Sequence, residues 1–67
     1  MTPVTIFLTF TVCVASASDQ CHNVTMPQPS MRACINRAAT DILEWEQRNA
    51  EYRWTRRGYL CEAATVA

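Results

Sequence analysis

The chain has 67 residues and a mass of 7.6 kDa. Six arginines, with no lysine, balance six acidic residues, so the formal net charge is zero. This excludes a two-domain protein, a barrel enzyme or a nucleotide-binding α/β fold, all of which need more chain. It also excludes the basic excess of a dedicated nucleic-acid binder, so no nucleic-acid partner is expected.

Met1–Ser18 carries no charged side chain. Within it, Val4–Val14 (VTIFLTFTVCV) is an apolar run interrupted only by Thr5, Thr9 and Thr11. Ala15-Ser16-Ala17 follows, with small residues three before and one before a cut after Ala17, the pattern a signal peptidase admits. Residues 1–17 therefore read as a cleaved signal peptide, with a cut after Ser18 as the near alternative. The segment before Val4 offers no Lys or Arg. The competing reading is a retained membrane anchor, although the run is short against the ~20 residues a spanning helix needs. Export would place the protein outside the cell or in the periplasm; retention would leave it membrane-anchored.

Removing Cys13 with the signal leaves Cys21, Cys34 and Cys61. An oxidising compartment favours bridges, but three is odd, so one thiol stays free or links two chains. Cys21, His22, Cys34 and Cys61 also form a Cys3His set. They lack the close Cys pair usual in zinc sites, so neither metal nor cofactor is expected, and His22 reads as an exposed loop residue.

Residues 18–29 form a polar arm, extended or with a short strand around Cys21–Met26, ended by Pro27 and Pro29. Asn23-Val24-Thr25 matches a glycosylation acceptor, which in a eukaryotic secretory path would mark an exposed loop. Ser30 is suited to cap a helix. Met31, Ile35, Ala38, Ile42 and Trp45 then recur at helical spacing, with Cys34 beside them. Arg37 and Asp41 are an opposite-charge pair four apart. Asn49 suits a left-handed cap.

Beyond Asn49 two readings stand. The helix can run on as a single long element over 30–57 and stop at Gly58. Alternatively the chain turns at Asn49-Ala50-Glu51 and continues as a strand over about 52–62, with Gly58 at a bulge. The concentration of aromatic and β-branched residues after Glu51 favours the strand. The expected fold is therefore a small α+β unit over 30–67: one helix at about 30–48 packed against a C-terminal strand, with Ala63–Ala67 as a frayed tail. A helix of about 19 residues covers ~28 Å, and a strand of about ten covers ~33 Å. If the strand returns along the helix, these matched lengths bring Cys34 and Cys61 to the same end. A Cys34–Cys61 disulfide is expected, with Cys21–Cys34 as the runner-up. Cys21 would then be free, or would join two copies in a disulfide-linked dimer.

Met31-x-x-Cys34-x-x-x-Ala38, then Trp45, then Asn49-Ala50-Glu51-Tyr52-x-Trp54, then Cys61, resembles a pattern in small exported proteins of bacteria and their phages. There a Cys near a helix start precedes a mid-helix Trp, a His-Pro-aromatic turn, an aromatic strand and a closing Cys. Here Asn49-Ala50-Glu51 stands in place of the His-Pro turn. The resemblance covers about 30 residues and implies a helix–strand unit stapled by Cys34–Cys61; it implies no activity. Cys34 followed by Ala38-Ala39-Thr40-Asp41-Ile42-Leu43 also resembles periplasmic lysozyme-inhibitor-type domains, without their Leu-Asn and following Tyr.

No catalytic residues are assigned. The chain has one His, it is too small to enclose an oriented Cys–His pair, and Glu44 and Glu46 lie on different helix faces. Arg53, Arg56 and Arg57 interleave with Tyr52, Trp54 and Tyr59. Guanidinium groups among rings can grip carboxylates, phosphates or glycans, so Arg53, Trp54, Arg56 and Arg57 form the candidate binding patch. The plainer reading is a solvated strand face whose rings fill the core. The expected function is a small exported, non-enzymatic binding or accessory protein of the cell envelope or extracellular space, phage-related in character. Its partner would be an envelope protein, a glycan or an anionic headgroup. The alternative is a membrane-anchored structural or lysis-associated protein that keeps its N-terminal segment.

Overall fold

The computed structural model of the protein describes residues 4–65. One helix packs on one face of a four-stranded antiparallel sheet, an α+β arrangement. In chain order the elements are β1 (Val4–Val14), β2 (Ala17–Gln28), α1 (Met31–Arg48), β3 (Tyr52–Trp54) and β4 (Leu60–Thr65). The helix ends at Arg48, so the single long helix over 30–57 does not occur.

β1 lies at the centre of the sheet. β2 pairs along one side of it. On the other side β4 pairs with Val4–Thr9 and β3 with Val12–Val14. The sequence of β1 explains this position. Ile6, Leu8, Phe10 and Val12 alternate with Thr5, Phe7, Thr9 and Thr11, so one face is uniformly apolar. Leu8 and Val12 are fully buried and Phe10 is 2% exposed. Thr5, Thr9 and Thr11, which interrupt the apolar run in sequence, lie on the opposite face of the strand.

The structure places Val4–Val14 in the sheet, a strand that the expected organisation of the chain did not include. The division after Ala17 is not a boundary in this fold, because Ala15 and Ser16 turn β1 directly into β2. A chain cut there would lose the central strand and Leu8, Phe10 and Val12, half of the side chains buried among the described residues. Within residues 18–29 the strand expected around Cys21–Met26 is present, and it runs on through Pro27 to Gln28. These residues form most of β2, with an irregularity over Ser18–Gln20 where the register shifts between Cys13 and Val14. Among the described residues no helix is long and apolar enough to cross a membrane.

Ser30 caps α1: its hydroxyl accepts from the Ala33 N–H at 3.1 Å. Cys34, Ala38 and Ile42 form its buried line, with Trp45 packed against the same core. Met31 and Ile35, expected on this inner stripe, are instead 36% and 55% exposed. Ile35 sits about 60° around the helix from Ala38, at the rim of the buried face. Asn49 is not left-handed (φ −128°). It ends the helix with its side-chain amide, which donates to the Trp45 carbonyl at 2.8 Å.

The strand expected over 52–62 is two strands with a loop between them. Tyr52 and Trp54 face the helix, and after the loop it is Cys61 that does so. The inward set thus passes from even to odd positions across the loop, where Gly58 has φ +112°, a value glycine adopts freely. Ala63–Thr65, expected to fray, pair with Val4–Ile6; residues 66–67 lie outside the described range.

Two disulfides close the fold. Cys34 and Cys61 are joined, tying the first turn of α1 to β4 across 27 residues. Cys21 is not free. It is joined to Cys13, its direct partner in the β1–β2 register, with 4.0 Å between Cα atoms. The expectation of a free or intermolecular Cys21 thiol depended on losing Cys13. With β1 in the sheet, Cys21 is paired within the chain. The Cys3His metal set does not assemble, since its three sulfurs are in bridges.

Candidate functional site: the arginine loop between β3 and β4

Residues 55–59 connect β3 to β4 and carry Arg56, Arg57 and Tyr59 at the surface. The loop is held at several points. The Thr55 N–H donates to the Thr11 carbonyl of β1 at 3.1 Å. The Trp54 indole N–H reaches across the loop to the Gly58 carbonyl at 3.3 Å. The Arg57 N–H donates to the Thr55 hydroxyl at 3.4 Å, and the Tyr59 hydroxyl donates to the Ile35 carbonyl of α1 at 3.4 Å. β3 is itself fixed to the helix, because the Trp54 backbone N–H donates to Glu46 Oε2 at 2.8 Å.

The four residues of the candidate patch do not form one cluster. Trp54 is half-buried against the core. Arg56 lies over its ring, with Cζ 5.5 Å from the centroid, within reach of a cation–π attraction. Arg57 follows at the loop surface. Arg53 alternates with Trp54 along β3 and pairs with Cys13, so it lies on the opposite face of the sheet. Its guanidinium donates to the Ala50 and Tyr52 carbonyls, both at 3.1 Å. Arg56 and Arg57 therefore form the accessible pair, with Trp54 as their support. Among the described residues the one ion pair is Arg37–Asp41, at 4.0 Å on α1; none involves the loop arginines.

Arg56 has φ +61°. A non-glycine residue in the left-handed region is uncommon and costs energy. Here the flanking bonds from Thr55, Trp54 and Arg57 hold that conformation. No pocket opens on the described surface, and no cluster of three or more metal-ligating side chains occurs there. Chemically, the loop offers two planar guanidinium groups at an exposed surface.

His22 is not a loop residue. It lies in β2, with its ring edge-on to Tyr52 at 5.0 Å between centroids. Asn23 is also on a strand rather than a loop, and its Oδ1 accepts from the Thr11 hydroxyl at 2.7 Å. The Glu46 carboxylate, which secures β3, carries no signal in the sequence. No periodicity relates a helix residue to a strand amide eight positions on.

No protein-family model matches the chain, and no curated protein or solved structure matches it.

Proposed function

We propose that the protein is a small non-enzymatic binding module of an oxidising compartment, the cell envelope or the extracellular space, and that Arg56 and Arg57 are its contact with an anionic partner surface. The observation that carries this reading is Arg56, held in a left-handed conformation over the Trp54 ring with no acidic partner of its own among the described residues. Strained residues persist where surrounding contacts over-determine them, and they concentrate at binding sites. Two arginines side by side suit carboxylate or phosphate oxygens, which their planar forks bind bidentately. Two disulfides in a chain this short support a compartment where thiols stay oxidised. The absence of a pocket among the described residues favours contact with a macromolecule over turnover of a small substrate.

In this reading Val4–Val14 stays with the protein as β1. The anchored alternative would require it to leave the sheet and uncover the core. The test compares the oxidised full chain with Arg56→Gln/Arg57→Gln for retention on envelope extract and on vesicles with and without anionic lipid. Salt-sensitive retention of the parent, lost in the double variant, supports the reading. Equal retention of both removes the loop from consideration.

A further inference from the structure

We infer that β2 is a self-association edge, through which two copies of this chain pair antiparallel about a two-fold axis at Asn23. β2 is an outer strand, and among the described residues its far side has no partner. Three observations agree on which of its backbone groups point outward. Cys13 and Cys21 are 4.0 Å apart at Cα, the spacing of a pair that exchanges no backbone hydrogen bonds. Alternation then gives the same character to Thr11–Asn23, Thr9–Thr25 and Phe7–Pro27. Pro27, which has no N–H to give, falls in this class, as it must. The Thr11 carbonyl, by the same count, points away from β2, and it accepts from Thr55 on the far side. The N–H and C=O groups of Cys21, Asn23 and Thr25 therefore face outward, followed by the Pro27 carbonyl alone.

Such an edge is a template for another strand, and between the irregularity over Ser18–Gln20 and Pro27 this one carries no acidic residue, Lys or Arg. Of the twelve residues of β2, the only formal charge at neutral pH is on Asp19. The whole chain has zero net charge, so two copies do not repel at long range. Three outward residues centred on Asn23 are self-complementary. In the register that sets Asn23 against Asn23 of the second copy, Cys21 meets Thr25 and Thr25 meets Cys21, giving about six inter-chain hydrogen bonds. Asp19 of each copy then lies opposite Pro27 of the other, where the missing N–H ends the ladder. A shift by one pairing step toward Cys21 loses bonds and sets the two His22 side chains against each other; the opposite shift keeps the count only by ending on Pro27 carbonyls, with one bond in place of two at each end. The Asn23 amide has N–H donors to offer its counterpart, while its Oδ1 keeps a second lone pair beyond the Thr11 bond. The two sheets would join into one.

The test is sedimentation of the oxidised full chain from about 1 µM to about 1 mM, the range that covers weak homodimers. A concentration-dependent dimer is expected. Thr25→Pro removes one outward N–H per copy while leaving the β1 ladder its bonds, a change edge strands accept, and should weaken the dimer by about tenfold or more. Amide exchange on the unaltered protein gives a second readout. The N–H groups of Cys21, Asn23 and Thr25 should become protected as concentration rises, while those of His22, Val24 and Met26 are protected throughout. A monomer across the whole range overturns the inference, as does a dimer in which those three amides still exchange freely.

Discussion

Glu46 and Trp54 are joined across the interface of helix and sheet: the carboxylate of one accepts the backbone N–H of the other at 2.8 Å. Trp54 is the last residue of β3, and Glu46 lies in the last turn of α1. The bond therefore fixes the entrance to the arginine loop relative to the helix. A charged acceptor on a half-buried amide contributes about 1.5–3 kcal/mol. Glu46→Ala should lower stability by that order, and Glu46→Gln, which keeps an acceptor, by less. Urea melts of the oxidised proteins check the ranking; equal losses would mean that packing, not the bond, matters at this position.

The helix was legible because its signals are local. Ser30 supplies the cap, apolar residues recur at helical spacing, and no Gly or Pro interrupts Ser30–Arg48. The central strand was not legible. An 11-residue run of apolar residues and threonines fits both a leader and a half-buried strand, and the small residues Ala15 and Ser16 after it also form a tight turn. The Cys13–Cys21 pair was not legible either, because it follows from hairpin register and not from spacing. The arginine cluster was visible as composition. Its division was not, since only strand pairing shows that Arg53 shares a face with Cys13 while Trp54 faces the helix.

Removal of residues 1–17 tests the place of β1 directly. Ser18–Ala67 would keep the helix, the Cys34–Cys61 bridge and the arginine loop, but lose the strand to which β2, β3 and β4 all pair. Loss of Leu8, Phe10 and Val12 removes buried side chains each worth about 1.5–3 kcal/mol. The shortened chain should show no cooperative thermal transition and should expose apolar surface to a dye such as ANS. A cooperative transition in Ser18–Ala67 would show that the mature fold differs from the one described here.

The two disulfides should differ in weight. On chain-entropy grounds a loop of about 8 residues is worth about 2.5 kcal/mol and one of about 27 about 3.5 kcal/mol. Cys13→Ser/Cys21→Ser opens the shorter loop, in a hairpin that β-pairing already holds. Cys34→Ser/Cys61→Ser opens the longer one and puts a hydroxyl at Cys34, which is fully buried. The second variant should be the less stable, by 1 kcal/mol or more as an order of magnitude. Thermal melts of the two variants give the order, and the reverse order would place the dominant constraint in the β1–β2 hairpin.

Arg56 provides a test that separates backbone strain from side-chain contact. At φ +61° an L-residue carries a penalty of about 1–2 kcal/mol, which Gly escapes. Gly in turn loses more freedom on folding, by about 0.5–1 kcal/mol. Arg56→Ala removes the contact with the Trp54 ring and keeps the strain, so it should destabilise by about 0.5–1 kcal/mol, the size of an exposed cation–π pair. Arg56→Gly removes both, and should be more stable than Arg56→Ala by about 0.5–1 kcal/mol, the reverse of their order in a helix. Urea denaturation of the three proteins resolves the difference. If Arg56 binds an anionic partner, both variants should lose retention to the same degree despite their different stabilities. If instead the two are equally stable, Arg56 is not held left-handed in solution and the strain argument for the site falls.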